Sequence, residues 1–222
     1  MIRRRLPALA LLLALLTLAV PACSGGEELP DGQQLLSRSG ATMGEVSSAR
    51  FVLDLEGDVS GLPIEGAQGQ LTRDGEAAGT AGITQGGELT ELEFVLTGDK
   101  LYLQGPTGGF RELPASFAAS VYDPSTILDA RRGVPALLEN GTDATTEARE
   151  DVDGVDAYRV RATFPVDVLG GLIPAVTEDT EGQVWIGFQQ PRLVQARFEL
   201  PGGIATVRLS EFDAPVDIAP PS

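Results

Sequence analysis

The sequence contains no histidine, and it has one cysteine and one lysine among its 222 residues. The absence of histidine removes the most common general base and the most common ligand of transition metals. It also excludes a Ser-His-Asp triad. A Ser-Lys mechanism would depend on Lys100, and no serine in a recognisable motif accompanies it. We therefore expect a protein that is not an enzyme and that uses no cofactor or metal.

The single cysteine, Cys23, ends a hydrophobic N-terminal segment. Arg3 to Arg5 precede an apolar run from Leu6 to Val20, and small residues lead from there to the cysteine. This pattern predicts a secretory signal peptide, which is too short and wrongly flanked for a stable membrane-spanning helix. The residues before Cys23 resemble the lipobox of bacterial lipoproteins, in which the thiol receives a diacylglyceryl group and becomes the first mature residue. The alternative is an ordinary signal peptide with a chance cysteine.

Acidic residues outnumber basic ones, with 32 Asp and Glu against 16 Lys and Arg. Removal of the signal peptide, residues 1–22, takes away three arginines and no acid, which leaves 13 basic residues and a net charge of −19. Such a surface disfavours nucleic acid and the phosphate-rich face of a membrane. We expect the acylated cysteine and a polar tether at residues 23–34, a single domain at residues 35–214, and a Pro-rich tail at residues 215–222.

Alternating apolar and polar residues predict strands through most of the domain. In the first of them, Phe51, Leu53 and Leu55 share one face, while Asp54 and Glu56 share the other. The predicted strands are residues 51–57, 66–73, 76–85, 88–97, 100–104, 110–112, 145–152, 155–163, 183–188, 192–200 and 204–212.

Short helices are predicted before the first strand and in the middle of the chain. Asp31 can cap the first helix. Residues 126–132 and 134–140 predict two more helices, and residues 164–178 a short helix and a loop that covers an opening. About ten strands with two or three helices indicate an α+β fold, in which helices lie on one face of an antiparallel sheet. A pure β-sandwich is the structural alternative. The helical interruption between Pro114 and Asn140 argues against it.

Acidic runs and apolar faces are the remaining candidates for function. The runs at residues 150–153 and 178–181 lie at predicted turns, where solvated charge is the simpler interpretation. A weak calcium site at Asp151, Asp153 and Asp156 is conceivable, although the spacing lacks the pattern of a dedicated loop. An apolar sheet face covered by helices can be filled or can enclose a cavity, and the pattern alone favours a filled core.

Several landmarks spread over the chain resemble one family. They are residues 29–32, residues 100–102 with a following glycine pair and Phe110, residues 122–134, residues 150–155, residues 206–210, and residues 214–216. Together with the lipobox, they resemble the LppX/LprA/LprF/LprG family of actinobacterial cell-envelope lipoproteins, and above all its LprG members. The motif at residues 122–134 is the most specific of them.

This resemblance implies a curved antiparallel sheet, shaped as a half-open barrel like that of the LolA and LolB carriers, with short helices on its concave face. It implies a large hydrophobic cavity for acyl chains, which reverses the preference for a filled core. The expected protein is exported, is anchored in the cell membrane by its lipid, and faces the periplasm or the cell-wall side. It would bind a triacylated glycolipid, a lipoglycan or triacylglycerol and carry it across the envelope with a membrane exporter of the major facilitator type.

The alternative function is an anchored interaction or scaffold domain with a filled core. A third interpretation, a hydrolase of envelope lipids, needs a nucleophile that the sequence does not offer. For the carrier, we predict lipidation at Cys23 and a cavity made of three parts. The sheet floor would be formed by Phe51, Leu53, Leu55, Phe94 and Leu101. The helical wall would be formed by Ile127, Leu128, Val134, Leu137 and Leu138. A mobile lid would be formed by Leu169, Leu172, Ile173 and Val176.

Overall fold

The computed structural model describes residues 28–59, 64–85, 88–117 and 126–221. Three helices lie wholly within this part: α1 (Gly32–Met43), α2 (Val134–Glu139) and α3 (Val166–Leu172). The strands are β1 (Ser48–Gly57), β2 (Ile64–Thr72), β3 (Ala77–Gln85), β4 (Glu88–Thr97), β5 (Lys100–Gln104), β6 (Arg111–Pro114), β7 (Thr142–Val152), β8 (Val155–Phe164), β9 (Thr180–Gly187), β10 (Leu193–Leu200) and β11 (Gly203–Ser210).

All eleven strands form one antiparallel sheet in the order β6-β5-β4-β3-β2-β1-β11-β10-β9-β8-β7. The chain builds it as two meanders, β1 to β6 and β7 to β10, each made of sequential neighbours. The last strand, β11, joins them because it pairs with β10 on one side and with β1 on the other. The sheet is open, since β6 and β7 are its edges. This arrangement confirms the predicted half-open antiparallel sheet.

A pair of glycines brings β2 and β3 unusually close together. Gly69 lies directly opposite Gly79. A Cβ on Gly69 would overlap the carbonyl oxygen of Ala78, and a Cβ on Gly79 would overlap that of Gln68. Glycine is therefore required at both positions, and such pairs let a sheet bend sharply.

We expect Gly79→Ala to destabilise the fold, because its Cβ can be placed only by moving two backbones apart. The free energy of unfolding should fall by about 2–4 kcal/mol, at the upper end of the usual range for single substitutions. Urea unfolding followed by circular dichroism measures this change. Gly109→Ala is the matched control, since a Cβ there meets no atom within 4 Å. Equal stability of the two variants would contradict the packing argument.

The core lies mostly between the helices and the strands β8 to β11, and it reaches β2 and β3 through Leu71 and Ala77. Helix α1 begins at Gly32, three residues before the proposed start of the domain, because the Asp31 side chain accepts a hydrogen bond from the backbone N–H of Gln34 (2.8 Å). It packs on β7 and β9, and α2 packs on α1. The side chains of Leu36, Leu138 and Phe164 are completely buried there.

One predicted helix is wrong. Residues 127–132 form turns and not an α-helix, whereas α2 and α3 confirm the helices predicted on either side of β7 and β8. The Asp129 carboxylate accepts hydrogen bonds from the backbone N–H groups of Arg131 (2.8 Å) and Arg132 (3.0 Å). A side chain that binds nearby amides in this way competes with the helical hydrogen bonds. The predicted helix start at residues 123–125 lies outside the described residues.

Candidate functional site

The residues predicted for the helical wall and the lid lie mostly inside the packed core. Ile127 and Leu172 are only partly buried and pack against that core. The other members are buried, each with at most 9% of its surface exposed: Leu128, Val134, Leu137, Leu138, Leu169, Ile173 and Val176. Most of these side chains thus belong to the packed core that covers the sheet. Whether they contact a ligand stays a prediction.

The residues predicted for the sheet floor are more accessible. Phe51, Leu55 and Phe94 are half-buried and pack at the border of the core. Leu53 is also half-buried, and it lies beside Val207 of β11. Leu101 is buried opposite Leu96, and Cys23 lies outside the described residues.

Small residues on two neighbouring strands form a depression in the inner face of the sheet, which we call the trough. Strands β2 and β3 carry only glycine and alanine there, while β1 and β4 carry large apolar residues on either side. The register aligns two rows across β1, β2, β3 and β4: Phe51, Gly69, Gly79 and Phe94, and then Leu53, Ala67, Ala81 and Leu92. All eight residues are half-buried.

The trough is closed at one end and accessible at the other. The next row of the inner face contains Leu71, Ala77 and Leu96, which are buried and lie directly opposite one another. The main contacts of α1 with the sheet are on β7 and β9, away from the trough. The trough is therefore an apolar surface that is only partly covered by the described residues. The composition of β2 and β3 contained this signal, because both strands are rich in glycine and alanine, but the predicted floor omitted these strands.

The three carboxylates of the conceivable calcium site are engaged by other groups. Asp151 accepts a hydrogen bond from the backbone N–H of Gly154 (2.9 Å), and Asp153 lies 3.7 Å from the guanidinium of Arg208. The hydrogen bond and the charge of Arg149 lower the pKa of Asp156. Within the described residues, no three potential metal ligands lie close together.

A polar network covers the convex face of β7 to β9. Glu147 accepts hydrogen bonds from Arg159 (3.1 Å), Arg161 (2.8 Å) and Gln183 (2.9 Å). Partial burial opposes the ionisation of Glu147, but the hydrogen bonds from Arg161 and Gln183 and the charges of both arginines outweigh it, so that its pKa is lowered. The network fixes the side chains of these three strands relative to one another.

This lowered pKa predicts a pH-dependent effect of Glu147→Gln. A carboxyl with a lowered pKa stabilises the fold above its ordinary value of 4.5, and this contribution is lost as the pH falls below it. We expect the variant to be less stable than the wild type by about 1 kcal/mol near pH 7, and nearly as stable as the wild type near pH 3. Urea unfolding at both pH values measures the difference.

The stability of Glu147→Gln must be compared with that of the wild type and of a control variant at each pH. Acid changes the stability of all of them, because it relieves the repulsion between the many negative charges of the protein. Glu178→Gln is the matched control, since the Glu178 carboxylate has no hydrogen-bond partner among the described residues. A difference between Glu147→Gln and wild type that persists at low pH would contradict the role of the Glu147 charge.

The sequence profile of the LppX_LprAFG lipoprotein family matches residues 31–218. The chain belongs to this family. The matched region contains every helix and strand described above. No helix in the described part of this LppX_LprAFG protein is long and apolar enough to cross a membrane.

Curated relatives of this LppX_LprAFG protein cover almost the whole chain. The lipoarabinomannan carrier protein LprG of Mycolicibacterium smegmatis is 33% identical over 222 residues, which are 95% of this chain and 94% of that protein. The protein of the same name from Mycobacterium tuberculosis is 28% identical over 214 residues, which are 91% of this chain and 89% of that protein.

Solved structures show the same architecture. The crystal structure of LprF from Mycobacterium bovis superposes with a TM-score of 0.79 at 25% identity, covering 87% of this chain and 98% of that one. The crystal structure of LppX from Mycobacterium tuberculosis superposes with a TM-score of 0.64 at 20% identity, covering 84% and 97%. The family expected from the sequence landmarks is thus confirmed, and with it the fold.

Proposed function

We propose that this LppX_LprAFG protein is a non-enzymatic lipid carrier that binds the acyl chains of a lipid or glycolipid along the trough. The observation that carries this proposal is the half-buried inner face of β1 to β4, where glycine and alanine leave a depression between rows of large apolar residues. The names of the LprG relatives, which are lipoarabinomannan carrier proteins, support the same class of ligand.

The hydrophobic effect would provide the binding energy. Each methylene group that leaves water contributes about 0.8 kcal/mol. Ten methylenes buried in the trough would contribute on the order of 8 kcal/mol, from which the cost of association is subtracted. A carrier must also release its cargo, and a trough that is accessible at one end allows a chain to leave without unfolding of the core.

The N-terminal segment supports an envelope location for the carrier. Acylation of Cys23 would anchor the exported protein in the membrane, and the polar residues before α1 would space the domain from the bilayer. A triacylated glycolipid, a lipoglycan or triacylglycerol would be received there and passed along the envelope with a major-facilitator-type exporter.

Native mass spectrometry of residues 24–222, purified without the anchor from an actinobacterial host, tests the proposal. We expect an additional mass that dissociates as one or a few acylated lipid species, and uptake of a fluorescent fatty acid by the emptied protein. A clean apo mass without uptake of added diacyl or triacyl lipid would contradict the carrier and favour an anchored scaffold domain.

A further inference from the structure

A second recess, separate from the trough, lies where the loop after α3 crosses the ends of β9 and β10. We call it the rim pocket. Its volume is about 430 Å³. Its apolar part is formed by Ala175, Val176, Leu200 and Pro201, of which Val176 and Leu200 belong to the core. Its polar part includes Arg161, Gln183 and Arg197, which lie directly opposite one another on β8, β9 and β10.

The rim pocket offers both hydrogen-bond donors and acceptors. The guanidinium of Arg197 has no hydrogen-bond or ion-pair partner among the described residues, and neither does the Glu199 carboxylate, which also lines the pocket. Gln183 donates its amide N–H to Glu147 (2.9 Å) and keeps its carbonyl oxygen as an acceptor. Arg161 is held in place by Glu147 (2.8 Å) and Glu181 (3.4 Å).

The loop that borders the rim pocket is fixed at its far end. The Asp179 carboxylate accepts a hydrogen bond from the backbone N–H of Val166 at the start of α3 (2.9 Å). The Thr180 hydroxyl donates a hydrogen bond to the backbone carbonyl of Glu178 (2.9 Å). The loop is therefore held in position before any ligand arrives, which lowers the entropic cost of binding against it.

The charges of the lining select a class of ligand. Two arginines and four carboxylates (Glu178, Asp179, Glu181 and Glu199) line the pocket, so an anion would be repelled, while the two guanidinium groups disfavour a bare metal ion. A hydroxyl group donates and accepts hydrogen bonds at once and matches this mixture of neighbours. The volume lies within the usual range of small-molecule sites, about 300–1,000 Å³.

We propose that the rim pocket binds a neutral saccharide. The apolar part contacts the C–H face of a sugar ring, and Arg197, Gln183 and Glu199 bind its hydroxyl groups. Because the pocket lies outside the trough, this binding goes beyond the acyl-chain function and does not require it. The saccharide could be the headgroup of a glycolipid or a free glycan, and the test distinguishes the two.

The test is a titration of the full-length protein, purified in detergent, with mannotriose as a soluble neutral saccharide, followed by ligand-detected NMR. We expect saturable binding that Arg197→Ala weakens about tenfold or more, because a hydrogen bond to a charged group is lost. Glu199→Gln should weaken it as well. Arg50→Ala, which removes an arginine from β1, is the control and should bind like the wild type.

A second titration, in lipid nanodiscs, uses a mannosylated diacylglycerol and the same lipid without sugar. If Arg197→Ala weakens binding of only the glycosylated lipid, a glycolipid headgroup is the source of the saccharide. If it weakens binding of mannotriose alone, the source is a free glycan. No saturable binding of mannotriose, or an equal loss in Arg50→Ala, overturns the saccharide site. Uptake of a fluorescent fatty acid that persists in that case shows that the carrier function itself stands.

Discussion

Ala81→Trp is expected to reduce lipid uptake by about tenfold or more, which corresponds to at least about 1.4 kcal/mol of binding free energy. Ala81 lies in the second row of the trough, between Ala67 of β2 and Leu92 of β4. An indole at this position would occupy the space that an acyl chain needs. Because Ala81 is half-buried and faces a partly open surface, we expect the fold to accommodate the change. Fluorescent fatty acid titration measures the effect.

Thr80→Trp is the matched control for this prediction. Thr80 is the neighbouring residue on β3, so its side chain points to the opposite, convex face of the sheet. It should take up lipid like the wild type, and Ala67→Leu should give an intermediate loss. Val134 is less suitable for such a test, because it is 7% exposed and packed in the core, where a tryptophan would cause overpacking. Wild-type uptake by Ala81→Trp would show that acyl chains do not bind in the trough.

Phe164→Ala is expected to lower the free energy of unfolding by about 3–5 kcal/mol. Phe164 is completely buried at the end of β8 and packs edge-on against Phe198, with 5.5 Å between the ring centroids. Its ring also faces Gly141, where an added Cβ would lie 3.1 Å from it. The substitution would leave a cavity that neighbours on several elements cannot close. Since small proteins are stable by only about 5–15 kcal/mol, a large part of the total would be lost.

Urea unfolding of Phe164→Ala and Phe188→Ala separates burial from the loss of an aromatic ring. Phe188 is 44% exposed and contacts the Arg149 guanidinium at 3.8 Å, so its removal should cost only about 1 kcal/mol. Similar losses in the two variants would mean that the centre of the core does not lie around Phe164.

Most of the strands could be predicted from local sequence patterns, because the alternation of apolar and polar residues along a strand is visible within a few residues. β4 and β5 have the predicted bounds, and Asp31 caps α1 as expected. The alternation of Phe51, Leu53 and Leu55 with polar residues reflects one face on the interior and one in solvent. By contrast, the bulges within β7, near Thr145 and Ala148, depend on its partner strand and have no local sequence signal.

The candidate site was less predictable because it depends on register. Apolar residues of the helices were predicted to line a cavity. Most of them belong to the packed core, and whether they contact a ligand stays a prediction. The trough exists because small residues of β3 lie beside large residues of β4, with Gly79 opposite Phe94 and Ala81 opposite Leu92. This alignment depends on how the strands pair and is not visible in either strand alone. Likewise, the helix predicted at residues 126–132 failed because the Asp129 side chain binds the amides that a helix would use.

The position of β11 affects how the chain can fold. During synthesis from the N-terminus, the first meander can form before β7 is made, and the second can form before β11 is made, since each contains only neighbours in sequence. The seam between them needs β1 and β11, whose partners Arg50 and Ser210 are 160 positions apart. Such distant pairing is slow, because a long loop must close before the contacts form. The two halves of the sheet are therefore joined last, and the chain stays incompletely assembled until its synthesis reaches β11.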